Sequence, residues 1–581
     1  SLDRQTLRLR PGTPVVLYRH TPDDPLAKGV VGRFSRGRIA VAIRGSDLDA
    51  VEGEAGIRLD REAPEATFER GEKAIRIWEG ATPRTALETM REVCFGEGPV
   101  GPDLERQSTT RETLLDGALN ASQREAVEFA LSTTPIALIH GPPGTGKTRT
   151  LVALIREAVA RGDRVLACAA SNIAVDNMAE RLAAAGVPIV RMGHPERVLP
   201  SVEALTLDVL VDATEGAQLA RRWIAEAHAI RRRMFARSDR GRLDYHDRRE
   251  MMATAGKLFR DARGQLAAAR DQVLARAAVV CTTAYGAGTR AIADIAFDWV
   301  VLDEATQATD PMAMVALGRA PRAVLAGDPM QLPPTVLDHA AEAGALGETI
   351  FERLMARLGQ ETTRMLTVQY RMHATLMGLV NAALYGGRLM AHEGVASALL
   401  SDLPGIVPDA GRPEPLCFLD TAGRGWTEFR PEDDPSVSNP DQGARTALEV
   451  RRLVSRGVEP SEIAVITPYD AQVRQLRGRL ADLLDVGLEV GSVDGFQGRE
   501  KRVIVVDLVR SNERGDIGFL RDVRRINVAL TRARRQLIVL GDGATLGGHP
   551  FYAGCVAEAE RVGGWVSAWA DDAEPFESLA P

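Results

Sequence analysis

The feature that most constrains this chain is the segment Gly141–Thr148, which reads GPPGTGKT and fills the pattern GxxxxGK[ST]. It directly follows an apolar run ending at His140 and precedes a helical pattern that begins near Thr150. In this context glycines let backbone N–H groups wrap around phosphates, and the helix amino terminus adds a favourable dipole. The segment therefore predicts a phosphate-binding loop between a buried strand and a helix, as found in α/β domains.

The side chains of this loop are expected to have different roles. Lys147 would reach the outer phosphates of a nucleotide, and Thr148 would ligate Mg²⁺. The other positions would line the phosphates mainly with their backbones: Gly141, Pro142, Pro143, Gly144, Thr145 and Gly146. A glycine turn that matches by chance is the alternative, and the flanking strand and helix argue against it.

Two adjacent carboxylates, Asp303 and Glu304, follow the apolar run 299–302. Burying such a pair at a strand end is costly unless a cation lies close. We therefore predict that Asp303 holds Mg²⁺ and that Glu304 orients or deprotonates an attacking water. An Asp-Glu pair on its own is more often a solvated loop, but together with the phosphate-binding loop it indicates nucleotide hydrolysis.

Apolar strand-like runs alternate with helical patterns in two blocks, which we assign to a first domain (119–200 and 277–360) and a second domain (361–550). Continuous apolar strands of this kind are typical of parallel sheets covered on both faces. The runs lie at 136–139, 165–168, 299–302, 323–326, 463–466, 503–506 and 537–540. The chain is therefore expected to be α/β, with two domains in tandem.

The remaining segments lack this alternation. Residues 1–76 contain short apolar runs between turn signals and predict a small β-barrel, followed by a helical linker or stalk over 77–118. Residues 201–276 repeat apolar positions every three or four residues and predict an α-helical hairpin inserted in the first domain. Residues 551–581 are expected to form a C-terminal tail.

Further motifs resemble those of a known family. In order, they are similar to the Q motif and motifs III, IV, V and VI of superfamily 1 helicases: LNASQ at 119–123, GDPMQLPP at 327–334, QYRMH at 369–373, VDGFQGRE at 493–500 and NVALTRAR at 527–534. The pattern resembles the 1B branch of superfamily 1. This branch contains the up-frameshift helicase of nonsense-mediated decay and the immunoglobulin mu-binding protein 2 helicase. This resemblance covers about residues 119–542 and implies two RecA-like P-loop NTPase domains; we expect a bacterial member.

The resemblance implies contacts to the nucleoside part of ATP. Gln123 would read the adenine edge, for which a side-chain amide is suited. Tyr370 would stack on the base, and Glu500 would contact the ribose or nearby water. An ordinary core tyrosine and a surface glutamate are the respective alternatives for Tyr370 and Glu500.

The resemblance also implies a two-domain clamp around the phosphates. Gln331 would sense the γ-phosphate and couple it to the strand groove. Arg371 and Arg532, supplied by the second domain, would stabilise the transferring phosphoryl group. ATP binding would draw the domains together, and hydrolysis would release them.

Small polar residues at strand ends are the candidate nucleic-acid contacts implied by the motifs. They are Ser171, Asn172, Thr282, Thr283, Thr467, Pro468 and Ser492. Such groups suit contacts to phosphate and sugar that carry no sequence information. Each one taken singly is more often a helix cap or a turn residue.

The charge distribution is uneven. The net charge of −7, from 72 basic and 79 acidic residues, excludes a globally basic coating protein. Residues 221–276, however, hold fifteen cationic and seven acidic side chains, a local charge of +8. A solvated hairpin with internal ion pairs is one interpretation, and a surface that guides a strand or its duplex is the other.

The function implied by the resemblance is an ATP- and Mg²⁺-dependent monomeric motor that moves 5′→3′ along single-stranded DNA or RNA and unwinds tailed duplexes. An ATP-gated clamp or ribonucleoprotein remodeller without processive unwinding would use the same residues. The choice between DNA and RNA rests on a few 2′-OH contacts and stays open. No run of about 18 uncharged apolar residues occurs, so we expect no membrane association and a cytoplasmic location.

Overall fold

The computed structural model describes residues 13–570 except 23, 36–37, 44–47, 52–55, 62–64, 97, 103–113, 194, 239–243, 337–345, 431–433, 435 and 497. These residues form one antiparallel sheet of four strands and two parallel sheets of seven and six strands. Two short ribbons join Gly101–Pro102 to Thr133–Thr134 and Val368–Gln369 to Met390–Ala391.

The amino-terminal sheet is antiparallel, in the order β3-β2-β1-β4. Its strands are β1 Pro14–Tyr18, β2 Pro25–Ser35, β3 Arg38–Ile43 and β4 Arg58–Arg61. Val15 and Val31 form its small buried core. Among the described residues β3 and β4 do not pair with one another, so closure of the predicted barrel stays a prediction.

A helix over Glu65–Glu79 leaves this sheet, and a second helix over Ala86–Phe95 follows it. Trp78 is buried, and its indole N–H donates to the carbonyl of Met314 in the first α/β domain at 3.1 Å. The boundary predicted at residue 76 is therefore wrong, since it falls inside a helix whose apolar side packs on the next domain. Residues 103–113 of the predicted linker lie outside the described residues.

The first parallel sheet has the order β11-β5-β10-β9-β6-β8-β7. Its strands are β5 Ile136–His140, β6 Val165–Ala169, β7 Ile189–Arg191, β8 Val279–Thr283, β9 Trp299–Asp303, β10 Arg322–Gly327 and β11 Thr363–Met365. Alternate residues enter different buried clusters, with Ala137 and Ile139 on one face and Ile136 and Leu138 on the other. This confirms the parallel strands predicted from continuous apolar runs.

Strand β11 corrects the predicted boundary between the domains. Thr363–Met365 pairs in parallel with β5, so the first sheet extends past residue 360. The strand has only three residues, too few to show an apolar period. Strand β7 of the same sheet, also three residues long, was missed by the sequence interpretation as well.

The insertion in the first domain consists of the helices Leu207–Asp212, Glu215–Ser238 and Tyr245–Arg276. The two long helices pack against each other. Their seam includes buried alanines, among them Ala227, Ala262 and Ala269. The residues that join the two long helices, 239–243, lie outside the described residues.

The second parallel sheet has the order β14-β13-β15-β16-β12-β17. Its strands are β12 Leu416–Asp420, β13 Ile463–Thr467, β14 Glu489–Ser492, β15 Lys501–Asp507, β16 Ala533–Gly541 and β17 Trp565–Ser567. The segment predicted as a tail after residue 550 instead forms the helix Pro550–Arg561 and strand β17, which pairs with β12. The sequence interpretation missed this edge strand because it is short and partly exposed; residues 571–581 lie outside the described part.

Helices cover both faces of the parallel sheets. In the first domain they are Ala121–Ser132, Lys147–Ala160, Asn172–Ala184, Asp310–Leu317 and Ile350–Leu358. In the second they are Ala374–Tyr385, Pro440–Ser455, Asp470–Arg479, Val523–Leu530 and Pro550–Arg561, with short helices at Glu393–Ala396, Ala481–Leu484 and Gly543–Leu546. Within the described ranges no helix is both long and apolar enough to span a membrane.

Candidate nucleotide and nucleic-acid site

The phosphate-binding loop lies between β5 and the helix Lys147–Ala160, which begins three residues earlier than predicted. Gly144 and Gly146 have φ angles of +74° and +80°, in the left-handed region that glycine adopts without strain. A Cβ atom at Gly144 would also lie 2.7 Å from the Cβ of Arg371. The glycines therefore permit both the loop's curvature and the close approach of the second domain.

Lys147 lies between the two acidic residues at the end of β9. Its Nζ is 3.1 Å from Asp303 Oδ1 and 2.7 Å from Glu304 Oε1. Burial alone would lower the pKa of Lys147, but the charges of Asp303 and Glu304 outweigh it and raise that pKa. Two carboxylates around one ammonium leave a net negative charge, which suits a divalent cation.

Glu304 is held in an unusual backbone conformation, with φ at +52°. Its backbone N–H donates to Asp303 Oδ1 at 2.8 Å, and its Oε2 accepts from Gln307 Nε2 at 2.8 Å. A non-glycine residue in the left-handed region is strained, and such strain often occurs at functional sites. The local structure thus turns the Glu304 carboxylate toward Lys147 and the phosphate-binding loop.

The second domain brings its arginines to the same place. Tyr370 N–H donates to the carbonyl of Gly144 at 2.8 Å, so the motif containing Arg371 contacts the phosphate-binding loop directly. Arg371 Nε donates to Glu500 Oε2 at 2.6 Å. Burial alone would raise the pKa of Glu500, but the charge of Arg371 outweighs it and lowers that pKa.

Arg532 is fully buried and joins the two domains. Its Nη2 donates to Gln331 Oε1 at 3.0 Å, while its Nε donates to the carbonyl of Val528 at 2.9 Å. Burial, followed by repulsion from Arg371, lowers the pKa of Arg532 to about 9, and attraction by Glu304 opposes this shift. The structure therefore brings together six of the predicted site residues: Lys147, Asp303, Glu304, Gln331, Arg371 and Arg532.

The predicted base-binding residues lie at the rim of this cleft. Gln123 belongs to a capping box with Asn120, and its Nε2 donates to the carbonyl of Thr145 at 2.9 Å. Tyr370 is 38% exposed, accepts a hydrogen bond from Asn120 Nδ2 at 2.9 Å and lies 4.7 Å from the His392 ring between centroids. An exposed ring argues against a core tyrosine. Gln123 supports the loop's backbone, and its contact with adenine stays a prediction.

The predicted strand contacts all follow or end parallel strands, so they lie at the carboxyl edges of the two sheets. Ser171 caps the helix Asn172–Ala184, and Asn172 Oδ1 accepts from Arg191 at 3.0 Å. Thr283 accepts from Gly286 N–H at 3.2 Å. Ser171 and Thr283 thus have the cap and turn roles that are the alternatives to nucleic-acid contact. Exposed atoms of Ser171 and Asn172 nevertheless remain available for a ligand.

Thr282 and Thr467 are 2% and 0% exposed, whereas Thr283, Pro468 and Ser492 are half-buried. Thr282 thus does not present its hydroxyl at the surface, because its side chain points into the packed face of β8. The Thr467 hydroxyl has no hydrogen-bond partner among the described residues.

Sequence reasoning missed three buried polar residues beside this site: Asp328, Tyr385 and Asn527. Asp328 and Asn527 lie inside the quoted motifs, and Asp328 follows a strand just as Glu304 does. Its position directly after a strand is therefore the signal by which the sequence could have identified Asp328 as a candidate site residue. No local pattern distinguishes Tyr385 from a core tyrosine.

Comparison with known proteins identifies relatives of this chain. Two stretches, residues 118–339 and 346–544, match family models described as AAA domains. The chain is 39% identical over 546 residues to the DNA-binding protein SMUBP-2 of Rattus norvegicus, covering 93% of this chain and 54% of that protein. It is 34% identical over 533 residues to the DNA polymerase alpha-associated DNA helicase A of Schizosaccharomyces pombe, with coverages of 91% and 79%.

A third relative is the ATP-dependent helicase upf1 of Schizosaccharomyces pombe, 32% identical over 566 residues, with coverages of 94% of this chain and 57% of that protein. The chain thus spans little more than half the length of two of these relatives. All three relatives are eukaryotic, so they lend no support to the expected bacterial source, which stays a prediction.

Proposed function

Because the chain belongs to the Upf1-like family of superfamily 1 helicases, we propose that it hydrolyses ATP to move along single-stranded nucleic acid and unwind tailed duplexes. The observation that carries this proposal is the convergence of Arg371 and Arg532 from the second domain on the phosphate-binding loop and acidic pair of the first. A site divided between two domains couples hydrolysis to their relative movement.

The proposed chemistry follows from the placement of the side chains. Lys147 binds the outer phosphates, and Glu304 orients the attacking water and accepts its proton. Arg371 and Arg532 stabilise the charge that develops on the transferring phosphoryl group. The nearly buried Asp303 carboxylate and the Thr148 hydroxyl would hold Mg²⁺, which would neutralise phosphate charge.

The proposed path for the strand is the carboxyl edge of the two sheets, past Ser171, Asn172, Thr283, Pro468 and Ser492. Small polar groups there suit sugar and phosphate rather than base edges. We further propose 5′→3′ movement and a monomeric motor, which the family resemblance implies, and a cytoplasmic location, as expected from the sequence. The name of the SMUBP-2 relative favours DNA as one substrate.

The test is ATP hydrolysis with and without single strands. We expect stimulated hydrolysis by the unaltered chain and its loss in Lys147→Ala and Glu304→Gln. Two exposed residues give matched controls, Lys73→Ala and Glu128→Gln, which should hydrolyse ATP normally. Strong hydrolysis by Glu304→Gln would contradict the assignment of this residue.

Duplex unwinding is tested separately by strand displacement on duplexes with a 5′ or a 3′ single-stranded tail. We expect ATP-dependent displacement of the 5′-tailed duplex. Stimulated ATP hydrolysis without displacement of either duplex would instead favour the ATP-gated clamp.

A further inference from the structure

A group of buried polar side chains crosses from the first domain to the second beside the catalytic residues. Its centre is Asp328, which follows β10 and is fully buried. Asp328 Oδ2 accepts from Gln331 Nε2 at 2.7 Å and from the hydroxyl of Tyr385 at 2.9 Å. Asp328 Oδ1 lies 3.1 Å from His140 Nε2. Gln331 and His140 belong to the first domain, whereas Tyr385 belongs to the second.

Tyr385 ends the helix Ala374–Tyr385 and is only 1% exposed. Its hydroxyl donates to Asp328 and accepts from Asn527 Nδ2 at 2.8 Å. Asn527 Nδ2 also donates to the backbone carbonyl of Met330 at 2.5 Å. One phenol group thus connects a carboxylate of the first domain to an amide of the second.

The buried charge is well compensated. Burial alone would raise the pKa of Asp328, but the hydrogen bond and charge of His140, together with Gln331 and Tyr385, outweigh it and lower that pKa. Burial and the Asp328 charge raise the pKa of Tyr385 well above its ordinary value, so its hydroxyl keeps its proton as a donor. Such a network is rigid because breaking one bond leaves a buried group unpaired.

Every branch of this network ends beside a catalytic group. His140 directly precedes Gly141 of the phosphate-binding loop. Gln331 Oε1 accepts from Arg532 Nη2 at 3.0 Å. Asn527 lies on the helix Val523–Leu530, and the carbonyl of Thr531 just beyond that helix accepts from Arg371 Nη1 at 3.1 Å. A shift of Tyr385 would therefore move both arginines relative to the loop.

We propose that Tyr385 is a positioning residue for ATP hydrolysis, whose hydroxyl, shared between Asp328 and Asn527, fixes Arg371 and Arg532 of the second domain against the phosphate-binding loop of the first. This inference rests on the proposed function. Tyr385 itself touches no substrate, because it is enclosed behind Gln331 and Arg532. Its loss should reduce the rate of the chemical step more than it weakens ATP binding, because the arginines act on charge that develops in the transition state.

The test is Tyr385→Phe, which removes one oxygen and keeps the ring. In ATP hydrolysis with saturating single strands, we expect kcat to fall about ten- to a hundredfold, as for a misplaced catalytic group. The KM for ATP should stay within about twofold, because ground-state binding is kept. A merely structural role would lower the melting temperature and the fraction of folded enzyme, whereas kcat per folded, ATP-binding molecule would match that of the unaltered chain.

The matched control is Tyr552→Phe. Tyr552 is also buried, at 2% exposure, and its hydroxyl donates to the carbonyl of Leu520 at 2.7 Å, entirely within the second domain. This variant removes a comparable buried hydrogen bond without touching the domain interface, so its kcat should match that of the unaltered chain. An equal fall of kcat in the two variants would overturn the positioning role.

A double-mutant cycle with Asp328→Asn completes the test. If Asp328 and Tyr385 act through one bond, the double variant should have little less activity than either single variant. Additive effects would overturn the proposal. If Tyr385→Phe does not fold, Asn527→Ala keeps the tyrosine, breaks its other hydrogen bond and should show the same split between kcat and KM.

The outcomes distinguish this inference from the proposed function. An unaltered chain without strand-stimulated ATP hydrolysis overturns the proposed function and the positioning role with it. An active unaltered chain together with a Tyr385→Phe variant of equal kcat overturns the positioning role alone.

Discussion

At the scale of single residues, Arg532 shows how the site combines charge with burial. The residue is 2% exposed, and its guanidinium donates to Gln331 and to the carbonyls of Val528 and Arg499. These donors point in fixed directions from one planar group. Lysine has a single ammonium and no such fork, so it cannot replace the side chain conservatively.

We therefore predict that Arg532→Lys lowers kcat for ATP hydrolysis by a factor on the order of 10³, as for removal of an arginine finger. The KM for ATP should change much less. Steady-state ATP hydrolysis with single strands measures both. Arg525→Lys is the matched control, since Arg525 lies over the Phe519 ring, away from the cleft. A kcat for Arg532→Lys close to that of the control would refute a catalytic role.

At the scale of secondary-structure elements, the hairpin Glu215–Ser238 and Tyr245–Arg276 separates a closely packed alanine seam from a charged exterior. Among its described side chains, two arginines form ion pairs, Arg221 with Asp212 and Arg270 with Asp271. The charge of +8 already counts the seven acidic side chains, and these few ion pairs leave most of the described cations of the hairpin unpaired. This favours the interpretation of the hairpin as a surface that attracts phosphates.

Replacing the adjacent exposed arginines Arg231, Arg232 and Arg233 by Gln should weaken binding to single strands or tailed duplexes. For single strands the slope of log affinity against log salt should become shallower by about 0.7 for each phosphate that the variant no longer neutralises. Fluorescence anisotropy over a salt series measures both the affinity and its slope.

The control for the hairpin variant carries Arg76→Gln, Arg479→Gln and Arg561→Gln, which make the same change in charge at scattered exposed positions. An equal fall in affinity in the two triple variants would mean that net charge, and not the hairpin, determines binding.

At the scale of the whole molecule, the domains meet through polar contacts that surround the proposed catalytic groups. Tyr370 contacts the backbone of Gly144, and Asn527 contacts that of Met330. A nucleotide that engages both sides can therefore change the relative position of the two sheets. The same movement would displace the carboxyl edges, where the strand contacts are proposed.

We expect strand stimulation of ATP hydrolysis to weaken with salt, despite the net charge of −7. Phosphate binding releases counterions, so the strand concentration for half-maximal stimulation should rise with salt, with a log–log slope of about 0.7 per neutralised phosphate. Matched DNA and RNA strands, assayed side by side, reveal whether a 2′-OH contributes. A half-stimulating concentration independent of salt would contradict binding through phosphates.

Much of the fold and the nucleotide site could be predicted because the relevant signals are local. Each of these signals occupies only a few neighbouring residues. They are the apolar run that ends at His140, the glycines at 144 and 146, and the acidic pair at 303–304. The short strands β7, β11 and β17 could not be predicted, since three residues are too few for a period and their pairing partners are far away in sequence. The predicted boundary at 360 and the predicted tail failed for this reason, whereas the boundary at 76 failed because it falls inside the helix Glu65–Glu79, which packs on the next domain.

The sequence by itself thus determined that the chain has two parallel-sheet domains and a candidate nucleotide site with Lys147, Asp303 and Glu304, because strand hydrophobicity and loop geometry depend on adjacent residues. Only the tertiary structure decided that Tyr385 joins Asp328 to Asn527. The hydrogen bonds of Tyr385 link residues 57 and 142 positions apart. Contacts over such separations leave no periodic trace in the sequence, since they depend on how separate elements pack.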